Sequence, residues 1–302
     1  MTVPTYLKRG DTIAICCPAG YMPAEKVTNC INTLQTEGYQ VIVGENVGST
    51  SQNYFSGTDA DRIKELQLFL DDKNVHAILC ARGGYGISRI IDKLCFKKFL
   101  KYPKWLIGFS DVTVLHGYLF TNYKMASLHA SMAAAFNNGD ANGENVQTML
   151  AALIGTKSDY HIRPNTANKN GEATGKVVGG NLTLFTNGIG TSSDVNTNNC
   201  ILFLEDLDEQ LYHIDRMFVH LKRSGKLKKL AGLIVGGFTD LKDTERPFGK
   251  NIYDMVLELV ADYDYPVCFD FPVSHGDDNV ALKHGIKHKL IIANDAVLLK
   301  EM

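Results

Sequence analysis

The sequence lacks the features of several common protein classes. Its seven cysteines are an odd number, they include no CxxC pair, and two of them, Cys16 and Cys17, are adjacent. This pattern suits neither a disulfide framework nor a zinc site, and it predicts free thiols in a reducing compartment. The formal net charge is only −2, from 31 basic and 33 acidic residues, so it gives no electrostatic basis for binding nucleic acid or an anionic membrane.

Long apolar runs are absent as well. No stretch approaches the length of a membrane span, and the first residues contain no apolar signal segment. We therefore expect a cytoplasmic protein that has neither a membrane nor a nucleic acid as a partner. No internal repeat is visible, and no pair of histidines has HxxxH spacing with a suitable acid. The sequence thus gives no support for a bound metal or another cofactor.

The chain of 302 residues is long enough for two domains, each with its own core. Its first half alternates short apolar runs with segments of helical periodicity. The apolar runs predict strands at residues 12–17, 39–43, 77–80 and 105–108. A helix begins near Pro23, and another is capped by Thr58-Asp-Ala-Asp61 and turns Ile63, Leu66, Phe69 and Leu70 inward. This alternation predicts a mostly parallel sheet with helices on both faces.

The character of the sequence changes around residues 135–175. A loop is predicted at 137–143 and a short helix at 146–153, and residues 163–174 are rich in Asn, Lys and Gly. Further strands are predicted at residues 176–178, 200–204, 231–235, 289–293 and 296–299. We therefore predict an α/β protein with an N-terminal α/β domain at 1–155, a linker at 156–174 and a C-terminal, β-rich α/β domain at 175–302.

Functional groups collect just past the carboxyl ends of parallel strands, and Gly108-Phe-Ser-Asp111 lies at such a place. A serine at a sharp turn between strand and helix exposes its hydroxyl, and the amide after it can donate to an oxyanion. The turn resembles a nucleophile elbow without the usual glycine after the serine. On this local pattern alone, Ser110 or Asp111 would more commonly serve as a helix cap.

A second loop, Arg82-Gly-Gly-Tyr-Gly86, follows the predicted strand at 77–80. Glycines allow the backbone to approach a ligand closely and leave amides available as donors. The spacing matches neither GxGxxG nor GxxxxGK[ST], so a phosphate-binding loop is poorly supported. If the strands before the two loops are neighbours, this loop can supply a second oxyanion donor beside Ser110.

An acidic run and one histidine complete the candidate groups. Glu205 lies in Leu204-Glu-Asp-Leu-Asp-Glu209, at the end of a strongly apolar strand, where most carboxylates are merely solvated. Of the nine histidines, His275 is the best candidate base, because it lies in a polar turn, Pro272-Val-Ser-His-Gly-Asp-Asp-Asn279.

These segments, taken in order, resemble the LD-carboxypeptidase family of serine peptidases, the muramoyltetrapeptide carboxypeptidases, almost from end to end. The resemblance rests on an ordered set of short motifs: Leu7-Lys-Arg-Gly-Asp-Thr-Ile-Ala-Ile15, Phe55-Ser-Gly-Thr-Asp59, Ala81-Arg-Gly-Gly-Tyr-Gly86, Ile107-Gly-Phe-Ser-Asp111, Gly179-Gly-Asn-Leu182, Phe203-Leu-Glu-Asp206, Gly232-Leu-Ile-Val-Gly-Gly-Phe238 and Phe271-Pro-Val-Ser-His-Gly276. One departure is His213, in Tyr212-His-Ile-Asp-Arg216, where the family often has arginine.

The resemblance implies a role for each candidate residue. It places the nucleophile at Ser110, the acid of the triad at Glu205 and its base at His275, with the site between the two domains. It implies oxyanion donors at the amides of Asp111 and Gly84. It also implies contacts with the substrate by the following residues: Arg82, Gly83, Tyr85 and Asn181. The expected substrate is a murein tetrapeptide or a related peptide, cleaved before its terminal D-alanine in cell-wall recycling, and the expected assembly is a homodimer.

Two alternatives stay open at this point. A peptidase of the same family that confers self-immunity against a microcin C-type antibiotic would use the same triad on another leaving group. The compact length of this chain favours the cell-wall branch. A non-catalytic protein could instead bind a small anion through residues 82–86.

Overall fold

The computed structural model describes residues 1–137 and 143–302. Residues 138–142 of the loop predicted at 137–143 therefore lie outside the described residues. The chain divides into two compact units. Unit 1 comprises Met1–Thr156 and Val280–Lys283, and unit 2 comprises Lys157–Asn279 and His284–Met302. The chain thus leaves unit 1, returns to it for four residues, and leaves it again.

The strands of the described residues are β1 (Thr12–Cys16), β2 (Gln40–Val43), β3 (Val75–Cys80), β4 (Trp105–Gly108), β5 (Ser127–His129), β6 (Asp159–Ile162), β7 (Gly171–Asn181), β8 (Cys200–Leu207), β9 (Gly232–Thr239), β10 (Val267–Cys268), β11 (Leu282–His284), β12 (Lys287–Ile292) and β13 (Val297–Glu301). The α-helices are α1 (Thr28–Thr36), α2 (Asp59–Asp71), α3 (Ile87–Ile90), α4 (Lys97–Lys101), α5 (Thr113–Tyr123), α6 (Glu144–Leu153), α7 (Leu182–Asn187), α8 (Leu211–Arg223) and α9 (Ile252–Val260).

Unit 1 is built on a sheet in the order β11-β5-β4-β3-β1-β2, and its pairs from β5 through β2 are parallel. The central strands are continuous apolar runs because both of their faces are covered. Ile15, Leu79 and Ile107 are all fully buried. The predicted α/β class and parallel sheet are confirmed.

The N-terminal end of α2 is also confirmed. The Thr58 hydroxyl accepts from the Asp61 amide at 3.2 Å, and the Asp61 carboxylate accepts from the Thr58 amide at 2.9 Å. This reciprocal pair satisfies two amides at the start of the helix. The inward face differs in part from the prediction, because Arg62 is buried whereas Ile63 is only half-buried.

Unit 2 contains a mixed sheet in the order β10-β9-β8-β7-β12-β13-β6. The pairs from β10 through β7 are parallel, and those from β7 through β6 are antiparallel. The second domain therefore has the predicted β-rich α/β character. Residues 156–174, predicted as a linker, include the edge strand β6 and the beginning of β7. The polar composition of that segment fits an edge strand, which is solvated along one side.

The chemistry of the cysteines follows the expectation from sequence. All seven are free thiols, and six of them are buried, with Cys95 exposed.

Within residues 1–137 and 143–302, no helix is long and apolar enough to cross a membrane. Over the same residues, no three side chains of His, Cys, Asp or Glu are grouped as metal ligands.

Candidate active site

Ser110 lies in a strained turn directly after β4. Its φ is 61°, in the left-handed region that few residues other than glycine adopt. Gly108, with φ 155°, begins the turn, and a Cβ there would lie 2.8 Å from Cγ2 of Val112. A strained residue of this kind costs on the order of 1–3 kcal/mol and is characteristic of functional sites. The sharp backbone turn at Ser110, between β4 and the helix that follows, thus resembles a nucleophile elbow.

Asp111 does not cap the helix that follows. The N-terminus of α5 has no side-chain cap, and neither has the short 3₁₀ turn Ser110–Val112 before it. Instead, the buried Asp111 carboxylate accepts a hydrogen bond from the Ile87 amide at 2.8 Å. Burial raises the pKa of Asp111 to about 6, and the amides of Ile87 and Gly86 and the charge of Arg62 oppose that rise. The simpler interpretation of this turn as a helix cap is therefore wrong.

The glycine loop lies beside the elbow, because β3 and β4 are neighbouring parallel strands. A Cβ on Gly83 would lie 2.7 Å from Cβ of Ser110, 2.9 Å from its Oγ and 3.4 Å from the Asp111 amide nitrogen. Only glycine fits this approach without displacing the serine. The next residue, Gly84, is exposed and has φ 95°.

Two further loop residues that the resemblance assigned to substrate contacts are exposed. The Arg82 guanidinium donates to the Tyr21 carbonyl at 2.9 Å, and Tyr85 is 46% exposed beside Phe55, with ring centroids 5.8 Å apart. The loop thus presents one cation and one aromatic ring around the glycines that adjoin the elbow.

In unit 2, Glu205 and His275 are brought together from positions 70 residues apart. Oε2 of Glu205 lies 2.6 Å from Nδ1 of His275. The glutamate side chain is fully buried and the histidine side chain is 12% exposed. Burial raises the pKa of Glu205, and the hydrogen bond from His275 lowers it. This arrangement fixes the orientation of the imidazole through Nδ1.

The local sequence explains how the pair is formed. The register of β8 against β9 shifts between Leu204 and Asp206, because Gly236 and Gly237 of β9 lie opposite Glu205 and form a bulge on β9. A Cβ on Gly236 would lie 2.2 Å from the Val273 carbonyl oxygen, so the glycine lets the loop before His275 lie directly on β9. Within that loop, the Ser274 hydroxyl accepts from the Gly276 amide at 3.0 Å and donates to the Asp278 carbonyl at 2.8 Å.

Asn181, a predicted substrate contact, is buried and hydrogen-bonded within unit 2. Its amide nitrogen donates to Asp206 at 2.7 Å, and its oxygen accepts from the Leu184 amide at 3.1 Å as the cap of α7. Asp206 also accepts from the amide and the hydroxyl of Thr183, at 2.9 and 2.8 Å. His213, the departure from the family pattern, lies on α8 with Nδ1 2.8 Å from Glu209.

Some residues around the site carried no signal in the sequence. His116 is buried below the elbow, where Nε2 donates to the Gly108 carbonyl at 2.9 Å and Nδ1 accepts from the Ser127 hydroxyl at 2.8 Å. Burial lowers the pKa of His116 to about 4, so the ring is neutral. Its place in an apolar helix gave no reason to connect it with Ser110. Arg62 was missed as well, since a charged side chain near the start of a helix such as α2 is ordinarily exposed to solvent.

Comparisons with known proteins find two family models that match the chain in succession. Residues 13–130 match the LD-carboxypeptidase N-terminal domain, and residues 174–290 match the LD-carboxypeptidase C-terminal domain. A probable murein peptide carboxypeptidase of Bacillus subtilis is 30% identical over 304 residues, which cover 98% of this chain and 94% of the relative. The murein tetrapeptide carboxypeptidase of Pseudomonas aeruginosa is 26% identical over 283 residues, covering 90% and 91%.

A solved structure gives the same result. The muramoyltetrapeptide carboxypeptidase from Oxalobacter formigenes superposes with a TM-score of 0.86 at 27% identity, and the match covers 96% of this chain and 98% of the other. The similarity therefore extends across both units and is not confined to one sheet.

Proposed function

Since the chain belongs to the LD-carboxypeptidase family, we propose that it releases the terminal D-alanine from murein tetrapeptides in cell-wall recycling. The observation that carries this proposal is the buried hydrogen bond between Glu205 and His275. A histidine oriented by a buried carboxylate is the base of a serine peptidase, and Ser110 in its strained turn is the matching nucleophile. The names of the relatives supply the class of substrate.

The first half of the proposed reaction forms an acyl-enzyme. Nε2 of His275 takes the hydroxyl proton of Ser110 as Oγ attacks the carbonyl carbon before the terminal D-alanine. The amides of Asp111 and Gly84 donate to the oxyanion, and the loss of one such donor typically costs about 3 kcal/mol. The tetrahedral intermediate collapses when the C–N bond breaks, and His275 returns the proton to the leaving amine.

The second half releases the shortened peptide. His275 takes a proton from a water molecule that attacks the ester carbon, and the proton passes to Ser110 as the C–O bond breaks. Through both halves, Glu205 holds the imidazole in one tautomer and stabilises the imidazolium. The products are a tripeptide carboxylate and free D-alanine, so one water is consumed in each turnover.

The cellular location and the oligomeric state of the protein belong to the same proposal. A cytoplasmic location is supported by the seven free thiols, which persist in a reducing compartment. A homodimer follows from the family resemblance. Light scattering tests it directly, because the dimer has twice the chain mass of 33.3 kDa.

Mass spectrometry of the products tests the reaction itself. The purified protein is incubated with murein tetrapeptides that contain either lysine or diaminopimelate at the third position. We expect at least one of them to lose one D-alanine, and the Ser110→Ala protein to leave both intact. If the unaltered protein cleaved neither peptide, the proposed substrate class would be contradicted.

A pentapeptide ending in two D-alanines provides the stereochemical control. Its terminal bond joins two D residues, whereas the proposed scissile bond follows an L-centre. An oxyanion hole fixes the face from which Ser110 attacks, so we expect little release of the fifth residue. Efficient release would place the enzyme in the D,D class.

A further inference from the structure

The side chain of Asp111 connects the two loops that adjoin the nucleophile. Asp111 follows Ser110 in the elbow, and its Oδ2 accepts from the Ile87 amide at 2.8 Å, directly after the glycine loop. The nearby Gly86 amide also lowers the pKa of the same carboxylate. One buried residue therefore joins the turn after β4 to the end of the loop after β3.

Arg62 holds the other side of the same loop. Its Nη1 donates to the Gly86 carbonyl at 3.1 Å and to the Pro18 carbonyl at 2.8 Å, and Nη2 pairs with Asp59. A Cβ on Gly86 would lie 2.4 Å from Nη1, so the glycine admits the guanidinium. Arg62 is fully buried, and its charge favours the ionised form of Asp111. The peptide group between Gly86 and Ile87 is thus contacted from both sides, by the Asp111 carboxylate at the Ile87 amide and by the Arg62 guanidinium at the Gly86 carbonyl.

This connection matters because of where the two oxyanion donors lie. In the proposed function, one donor is the Asp111 amide and the other is the Gly84 amide. Gly84 is two residues before Gly86, and nothing in the sequence of a glycine-rich loop fixes its conformation. Displacement of a catalytic group by 1 Å can cost about 100-fold in rate. A tie between the two loops would therefore set the distance between the donors.

We propose that Asp111 is a positioning residue whose carboxylate, supported by Arg62, holds the glycine loop and the elbow in the spacing that the oxyanion requires. This inference rests on the proposed function. It assigns two roles to a single residue, because the backbone amide donates to the oxyanion and the side chain holds the second donor in place.

The local energetics support a functional role over a purely structural one. Within the described part of the chain, Oδ1 of Asp111 and Nε of Arg62 are buried atoms without a hydrogen-bond partner. A buried polar atom left unsatisfied destabilises the fold, and apolar side chains would pack this region at lower cost. Such local costs are expected where function requires a particular geometry.

The test compares Asp111→Asn with the unaltered enzyme on the tetrapeptide that is cleaved. Asparagine keeps the shape and one acceptor oxygen but removes the charge and turns an NH₂ group toward the loop. We expect kcat to fall about 10- to 100-fold while KM changes less than about twofold, because substrate binding does not use the oxyanion donors. Unchanged kcat in a folded Asp111→Asn protein would overturn the proposal.

A tetrahedral adduct separates this role from a general loss of structure. In the tripeptide aldehyde, the Ser110 oxygen adds to the carbonyl carbon and forms a hemiacetal whose oxygen occupies the oxyanion site. Asp111→Asn should weaken inhibition by this aldehyde about 10-fold or more and leave the affinity for the tripeptide product unchanged. Equal weakening of both would overturn the proposal in favour of general disruption.

Two further variants serve as a second arm and as a matched control. Arg62→Lys keeps the charge but loses the guanidinium that contacts the Gly86 carbonyl, the Pro18 carbonyl and Asp59, so it should show the same selective loss even if Asp111→Asn does not fold. Glu65→Gln alters another buried carboxylate of unit 1, which accepts from the amides of Cys17 and Asn46 and not from the glycine loop. It should leave kcat within about twofold, and a loss as large as that of Asp111→Asn would contradict the assignment.

The outcomes also distinguish this inference from the proposed function. If the unaltered enzyme cleaves the tetrapeptide, Ser110→Ala does not, and Asp111→Asn matches the unaltered enzyme, then only the positioning role is wrong. If Ser110→Ala retains cleavage, the acyl-enzyme mechanism is wrong and the positioning role fails with it.

Discussion

Oε2 of Glu205 and Nδ1 of His275 lie 2.6 Å apart, and the carboxylate is fully buried. A buried carboxylate has few ways to be stabilised, and this one relies on the imidazole N–H at Nδ1. The pair therefore fixes the tautomer of His275. Burial of the carboxylate would also strengthen its attraction to the imidazolium that forms in the proposed reaction.

Replacement of the charge in this pair gives the first prediction. Glu205→Gln keeps the shape of the side chain, yet its NH₂ group can face Nδ1 and favour the wrong tautomer. We expect kcat to fall about 10³- to 10⁴-fold, measured by release of D-alanine. Asp159→Asn, which neutralises the partner of the exposed His161 on β6, is the control and should leave kcat unchanged. A Glu205→Gln enzyme with more than a tenth of full activity would leave Glu205 as an ordinary buried carboxylate.

The second prediction concerns nucleophile and base as one unit. Ser110→Ala and His275→Ala should each lower kcat by up to about 10⁶-fold, and the double variant should lose little more. Thermal unfolding of Ser110→Ala should stay within a few degrees of the unaltered protein, because serine and alanine share the Cβ that the strained turn must hold. If the losses in kcat of the two single variants multiplied in the double variant, another histidine would have to be the base.

The third prediction tests the close approach of the glycine loop to the elbow. Gly83→Ala places a Cβ 2.7 Å from Cβ of Ser110, and the neighbour is not the flexible end of a side chain. We expect a loss of about 1–3 kcal/mol in the free energy of unfolding and at least about 100-fold in kcat.

Gly188→Ala is the matched control for this glycine. Gly188 has φ −71° at the end of α7, and its nearest neighbour would lie 3.4 Å from the new Cβ. The free energy of unfolding and kcat should both remain nearly unchanged, as measured by chemical denaturation and by the release of D-alanine. Comparable losses in the two variants would show that the approach to Ser110 has no special importance.

The fourth prediction follows from the raised pKa of Asp111, about 6 against an ordinary value of 3.8. A group with a raised pKa in the folded state stabilises the fold below its unfolded pKa, and this contribution is lost as the pH rises through about 6. The positioning role needs the carboxylate, so activity should fall as the pH drops through about 6. Stability and activity therefore depend on Asp111 in opposite directions.

Thermal melts of Asp111→Asn and of the unaltered protein at two pH values measure the contribution of Asp111 to stability. Relative to the unaltered protein, the variant should be more stable at pH 8 than at pH 5, by about 1.4 kcal/mol. A difference of the opposite sign would show that the carboxylate is stabilised by its surroundings at neutral pH.

The sequence predicted the sheets because their strands are long apolar runs whose burial leaves little choice of conformation. The strand Trp105–Gly108 was predicted with its observed limits, and the cap at Thr58 follows from side chains that act over one helical turn. Both signals are local. The ends of β7 and β8 extend beyond their apolar runs, since backbone groups of polar residues such as Asn181 and Glu205 also pair there.

The surroundings of the candidate site depend on contacts that are distant in the sequence. Ser110, Glu205 and His275 were found through their places after strands and through the family resemblance. The side-chain role of Asp111 was missed because its partner, Ile87, is 24 residues away and contributes only a backbone amide. Buried His116 and Arg62 were missed because the charge or polarity of a single residue does not reveal which carbonyl it will meet.

The return of Val280–Lys283 to unit 1 has a consequence for synthesis of the chain. These residues supply most of β11, the edge strand beside β5 in the sheet that carries Ser110. Domains generally fold in the order in which the ribosome makes them. Here the first sheet cannot acquire its last strand until almost the whole chain has emerged, so the edge of β5 stays open while unit 2 is being made. The growing chain therefore carries an unpaired strand edge from the time β5 is made until β11 emerges, and a ribosome stalled before residue 280 would hold it exposed to other chains.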